Sequence, residues 1–348
     1  MKLYPFLFES NLHSIIWGGD KIAKWKGLPD EGKPIGESWE VSAVPSSVNI
    51  IANGTFRGRD LVSVINELPE EILGKAVARQ YDNQLPLLAK FIDAQRDLSI
   101  QVHPNDEMAK RLYGKRGKTE MWYIIDAKPG AFLYSGFSKP MAHDENYARP
   151  ENREEAVEEY RRRIAEGTIT EVLAKHEVKA GDVFYLPAGR VHAIGSGILL
   201  AEIQQSSDVT YRIFDYNRPG MDGKPRELHT EQAAEALDYK VKDNYRTEYT
   251  YQKGKANPIV ESSFFNVCVT DVDGNFHHDL KACDSFVILM CMHGDCRIRL
   301  KCTNEEVTLK EGYSALIPAS VADFEIIADN KEKKSQLLEA YIDNSKTL

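Results

Sequence analysis

Ser99-Ile100-Gln101-Val102-His103 reads as a short strand stopped by Pro104. Successive side chains on a strand alternate, so Gln101 and His103, two apart, project from one face. Two further residues can join them. Glu120 closes Lys118-Thr119-Glu120, and His192 closes Gly181-x5-Pro187-x-Gly189-x2-His192. All four meet only if the strands wrap into a small barrel, and no other feature constrains the fold as tightly. Two imidazoles, a carboxylate and an amide oxygen form a mixed nitrogen and oxygen donor set. Such a set suits Zn²⁺ or a similar divalent ion.

The rest of the chain is compatible with that barrel. Gly181 turns the chain, Val183 to Leu186 form a core strand, and Pro187-Ala188-Gly189 makes a tight turn. His192 then returns on the next strand. The same spacing recurs as Gly312-x5-Pro318-x-Ser320-x2-Asp323, with Asp in the His position. This predicts a second barrel of the same kind without a metal site. Between 263 and 342, apolar runs of strand length include Cys296–Leu300, Ser314–Ile317 and Phe324–Ala328.

The predicted fold is therefore mainly β: two jelly-roll barrels, with an α-helical insertion at about 144–177. Residues 1–250 form the first domain and 251–348 the second, with the polar stretch 238–262 as connection. Residues 60–80 have helical spacing broken by Pro69, and 230–237 reads as a short helix capped by Thr230. His277-His278 reads as a solvated loop pair.

At 348 residues the chain can bury a large core, and its net charge of −9 disfavours nucleic acid. No run of about 18 apolar residues is present, so no membrane span is expected. The start of the chain lacks a signal-peptide pattern, which predicts a cytoplasmic location. The five cysteines, all between Cys268 and Cys302, form no CxxC pair and read as reduced thiols.

Other charged residues cluster near the metal set in sequence. Lys118 lies two before Glu120 and would share its strand face. Arg212 and Arg218 are six apart, so a regular strand would present both at the barrel mouth as bidentate anion partners. Glu202, ten after His192, is the carboxylate expected to act as base.

The glycine, proline and histidine spacing resembles the second cupin motif. From Tyr4 to about Tyr341 the chain resembles the type I mannose-6-phosphate isomerases of the shorter bacterial kind. The resemblance rests on Leu98–Asp106, Lys118–Tyr123, Leu186–Ala193 and Glu202–Arg212. It implies cupin barrels, one Zn²⁺ per chain and interconversion of mannose 6-phosphate with fructose 6-phosphate. It further implies that Gln101, His103, Glu120 and His192 bind the metal and that Arg212 is catalytic. Ser99, Lys118, Glu202 and Arg218 would line the pocket; longer members carry Lys where this chain has Arg218. Trp17 would wall the sugar site.

Aldose–ketose isomerisation moves a proton between C1 and C2 through an enediol(ate), and needs a Lewis acid, a base and phosphate ligands. The residues named above supply each type. Two other readings stay open on the residues alone. One is an Fe²⁺-dependent cupin oxygenase, and the other is a sugar-phosphate-binding module without turnover. The expected partner is a hexose 6-phosphate, and the expected assembly a monomer or weak homodimer.

Overall fold

The computed structural model describes residues 2–29, 31–329 and 334–345. Four antiparallel sheets account for the named strands: two of six strands, one of five and one of four. The first six-stranded sheet places Leu12–Gly19, Ile35–Val41, Leu87–Ala94, Ile198–Gln205, Glu120–Ala127 and Val183–Leu186 side by side. The five-stranded sheet holds Tyr211–Phe214, Ile100–Val102, His192–Ile194, Phe132–Phe137 and Leu173–Glu177. The candidate metal ligands come from both sheets, so the site lies between them.

The chain's predominantly β character is as expected. Leu87–Ala94 and Ile198–Gln205 are buried at every position. Continuous burial of this kind marks strands covered on both faces. One large core joins the outer face of this sheet to the last third of the chain, packing Phe91 and Ile203 with Val267 and Leu338. The last third contributes the other six-stranded sheet and the four-stranded one. The six-stranded sheet also takes in Phe6–Leu7, which pairs with Ser314–Ile317.

Helices appear where the local chemistry starts and stops them. Pro150 opens Pro150–Glu166 and Gly167, in the left-handed region, ends it. Ala156 and Tyr160 bury one face, four residues apart. The stretch expected as a helical insertion ends differently, because Leu173–Glu177 is a strand paired with Phe132–Phe137. Pro69 and Gly74 cut the 61–80 stretch into three short helices.

Several expectations are corrected. Thr230 is the first residue of its helix, and the flanking cap position belongs to His229. The presumed connection contains a strand, Ala256–Glu261, at the edge of its sheet. Its Pro258 is tolerated there because an edge strand can spare a donor, and the register slips between Pro258 and Val260. His277 and His278 are strand residues, and His278 is largely buried against Glu339. Asp323 does hold the sequence place of His192 in the repeat, but it pairs with His277 and Lys281 at a partly exposed edge.

Candidate metal centre and its cavity

The local sequence delivers each donor by a specific device. Ile100–Val102 ends before His103-Pro104, and Asn105 then caps the helix Asp106–Tyr113 by accepting from the Met108 amide at 2.9 Å. Gly189 donates its amide to the His103 carbonyl at 2.9 Å. Its φ of +87° suits glycine, and a Cβ would meet the Ala236 carbonyl at 2.9 Å. The turn Pro187-Ala188-Gly189 is thereby fixed beside His103. Thr119 links the third segment: its hydroxyl accepts from Ala188 N and its amide donates to Gln205 Oε1. Glu120 follows as the first residue of its strand.

These contacts bring the four predicted donors together. Gln101 and His192 are direct partners on neighbouring antiparallel strands. His192 Nε2 lies 3.2 Å from Glu120 Oε1, and His103 Nε2 lies 3.5 Å from Glu120 Oε2. The ligand atoms of His103, Glu120 and His192 all fall within 4.8 Å of one another. The Gln101 side-chain nitrogen is 3.4 Å from His192 Nε2, and turning the amide over would present its oxygen instead.

The surroundings fit a divalent cation. His103 Nδ1 faces the Val209 carbonyl at 3.0 Å, and His192 Nδ1 faces the Arg190 carbonyl at 2.8 Å. A carbonyl can only accept, so each Nδ1 carries the hydrogen and each Nε2 keeps its lone pair for the interior. Burial, with Lys118 nearby, holds both imidazoles neutral; His192 is lowered to about 4. Glu120 is fully buried, and neither oxygen accepts an oriented hydrogen bond. Burial and the charge of Glu202 both push its carboxyl upward. Lys118 meets this buried carboxylate only at Oε2, and Oε1 faces an imidazole lone pair, an arrangement that a bound cation would satisfy.

Beside this cluster opens a cavity of about 390 Å³. Trp17, Ser99, Lys118, Glu202 and Arg212 line it, together with Gln101. Lys118 Nζ lies 3.0 Å from Glu120 Oε2 and 3.2 Å from His103 Nε2. Glu202 Oε2 accepts from Trp122 Nε1 at 2.9 Å. Burial alone would raise the Glu202 carboxyl, but Lys118 and Lys90 outweigh it and hold the group below its ordinary range. Arg212 donates to the Glu227 carbonyl at 2.8 Å, and its buried Nε has no partner.

Arg218 is not among the residues lining the cavity. The strand ends at Phe214, and Tyr216 and Asn217 both take positive φ, at +54° and +53°. Two left-handed residues in succession bend the chain, so the shared face expected for Arg212 and Arg218 does not form. Arg218 instead pairs with Asp215 and donates to the Asp97 carbonyl. The second arginine on the cavity is Arg226, which grips Asp215 through two nitrogens at 2.7 and 2.6 Å. Sequence spacing missed it because it returns from a Pro-Gly-rich loop. Also missed were Glu37, Trp39 and Lys90, which line the opposite wall. A signal for Lys90 did exist: a lysine inside an otherwise apolar run, Leu87-Leu88-Ala89-Lys90-Phe91-Ile92.

A buried two-histidine, one-carboxylate cluster inside a β-sheet shell, opening on a cation-lined cavity, defines a cupin-type protein with a candidate metal centre. Residues 6–155 match the family described as phosphomannose isomerase type I, catalytic domain. Residues 255–331 match the mannose-6-phosphate isomerase cupin domain. The chain is 33% identical over 336 residues to the mannose-6-phosphate isomerase of Streptococcus mutans, covering 94% of this chain and 99% of that one. It is 32% identical to mannose-6-phosphate isomerase ManA of Bacillus subtilis, covering 94% and 96%. The crystal structure of the Bacillus subtilis enzyme superposes with a TM-score of 0.83 at 30% identity, covering 98% of this chain and all of that one. A zinc-bound mannose 6-phosphate isomerase shares the fold at 17% identity and a TM-score of 0.74, over 98% of this chain and 100% of that one. The chain belongs to the type I mannose-6-phosphate isomerase family.

Proposed function

We propose that this protein interconverts mannose 6-phosphate and fructose 6-phosphate, using one Zn²⁺ held by Gln101, His103, Glu120 and His192. The observation that carries the reading is the meeting of that donor set with a cavity bordered by Arg212 and Arg226. The bound ion would polarise the substrate's carbonyl and hydroxyl oxygens.

The protein's own groups supply the rest. Arg226 binds the phosphate dianion, for which a guanidinium is well matched, and Arg212 is the catalytic cation facing the enediolate. Trp17 covers the sugar carbons and Ser99 hydrogen-bonds a hydroxyl. Glu202, kept ionised by Lys118 and Lys90, takes the C2 proton of the open-chain aldose and returns it to C1. Lys118 stabilises the oxyanion of the enediolate between those two transfers, while the O2 hydroxyl proton passes to O1. Gln101 as a fourth ligand and the surrounding cations favour a redox-silent metal and an anionic substrate over oxygen chemistry.

Among the described residues no helix is long and apolar enough to cross a membrane. None of the five cysteines is in a disulfide, which supports the cytoplasmic location in this reading. We also retain a monomer or weak homodimer as the working assembly.

A coupled assay of mannose 6-phosphate conversion tests the reading. Turnover should vanish on chelation and return with Zn²⁺. Fully metallated protein that binds sugar phosphate without turnover would instead establish a binding module. Oxygen consumption with bound iron would establish an oxygenase.

A further inference from the structure

Lys90 is a buried cation that the scheme above uses only for its charge. It sits in Leu87–Ala94, a strand with no exposed residue, and its side chain is 8% exposed. Its partners are arranged as a single row across the sheet. Trp39 is the register partner of Lys90, Lys90 of Glu202, and Glu202 of Trp122. Register partners project from the same face, so the four side chains stand in line on one face of the sheet, with Trp39, Lys90 and Glu202 lining the cavity.

The row has an internal order. Lys90 Nζ is 3.3 Å from Glu202 Oε1, and Trp122 Nε1 is 2.9 Å from Glu202 Oε2. Trp122 holds Oε2 by a hydrogen bond, and Lys90 faces Oε1 as an ion pair without an oriented hydrogen bond. Lys90 is held in turn: Glu37 Oε2 lies at 3.4 Å, and the Trp39 ring lies 4.8 Å beneath the ammonium. Trp39 Nε1 donates to the same Glu37 oxygen at 2.6 Å. Glu37, Glu202 and Glu120 together raise the Lys90 ammonium above its ordinary range, so it stays a fixed cation at neutral pH.

We propose that Lys90 is a positioning residue: with Trp122 it locks the Glu202 carboxylate in one orientation over the substrate cavity, and Glu37 and Trp39 fix Lys90. The inference rests on the reading of Glu202 as base. A carboxylate hydrogen-bonded at one oxygen and facing a fixed cation at the other favours one rotation about its last bond, and its free lone pairs keep one direction. The row would thus act on the rate of proton transfer and hardly on substrate affinity.

The test is a mutant cycle in the zinc-loaded, full-length enzyme with Lys90→Met, Glu37→Gln and Glu202→Gln. Lys90→Met should lower kcat by about 100-fold while KM for mannose 6-phosphate stays within about threefold. On the Glu202→Gln background the same change should cost less than about threefold, because its route of action is already gone. Glu37→Gln, at a partly exposed cavity position, should lower kcat by about five- to tenfold with KM unchanged. Crystal structures of Lys90→Met and Glu37→Gln should show Glu202 in more than one rotamer. Equal losses on both backgrounds, a rise in KM with kcat preserved, or a single unchanged Glu202 rotamer would each overturn the proposal. Glu202→Gln alone reads the base assignment, since a loss under about tenfold removes Glu202 from that role whatever Lys90 does.

Discussion

His192 Nε2 points at Glu120 Oε1 across 3.2 Å, while its Nδ1 is tied to the Arg190 carbonyl. The imidazole is thereby fixed in tautomer and direction before any ion arrives. His103 is fixed in the same way by the Val209 carbonyl. Either His103→Ala or His192→Ala should therefore lose the tightly bound metal and activity together. Metal content by mass spectrometry checks this, and a fully metallated His192→Ala protein would exclude His192 as a ligand.

Arg212 and the donor set are separable. Arg212→Ala should keep the metal yet lose turnover by about 100-fold or more. A fully active variant would mean that the catalytic cation lies elsewhere.

The two arginines on Asp215 offer a contrast. Arg226 borders the cavity and Arg218 does not. Arg226→Met should raise KM for the sugar phosphate by about tenfold or more, and Arg218→Met by less than about threefold. The reverse pattern in steady-state kinetics would return the phosphate to Arg218.

A second buried pair governs stability and not catalysis. His278, on the four-stranded sheet, reaches Glu339 on the facing six-stranded sheet, where the Thr270 hydroxyl also donates to Glu339. Burial lowers the imidazole's proton affinity, but Glu339, aided by Asp279, more than reverses this and raises it. A raised folded-state value contributes stability fully below the unfolded value of about 6.5, and the contribution fades as pH climbs through the folded value. His278→Gln should thus destabilise by roughly 3 kcal/mol at pH 5.5 and by clearly less at pH 9. Denaturant melts at both pH values decide it, and equal losses would remove the ion pair from the explanation.

The first and last thirds are pinned together at Gly74. Its φ is +92°, and a Cβ there would meet the Asp284 carbonyl at 2.1 Å. The Asp284 carboxylate in turn accepts from the amides of Lys75 and Ala76, at 3.0 and 2.8 Å. Gly74→Ala should cost about 2 kcal/mol or more, and Asp284→Ala about 1 kcal/mol. Urea midpoints measure both; an unshifted Gly74→Ala would show that the loop yields freely.

The metal donors were legible because short-range rules specify them. Alternation pairs Gln101 with His103, and a glycine-proline turn aims His192. Their neighbours were not. Lys90 and Trp122 meet Glu202, and Trp39 meets Lys90, only through strand register, and register between strands roughly 50 to 110 residues apart leaves no local spacing to read. Arg218 illustrates the opposite failure: regular spacing was extended past Phe214, where two left-handed residues end the regularity. Ala256–Glu261 was hidden by its polarity and Pro258, both of which an edge strand accommodates. His278 was hidden because its partner, Glu339, is far along the chain.

The pairing of Phe6–Leu7 with Ser314–Ile317 has a temporal side. A ribosome adding about 5–20 residues per second needs roughly 15–60 s to travel from one strand to the other. Throughout that interval the first strand has no partner, and the sheet it borders does not exist. The catalytic cavity can take shape on the nascent chain, but the molecule closes only after synthesis has nearly finished.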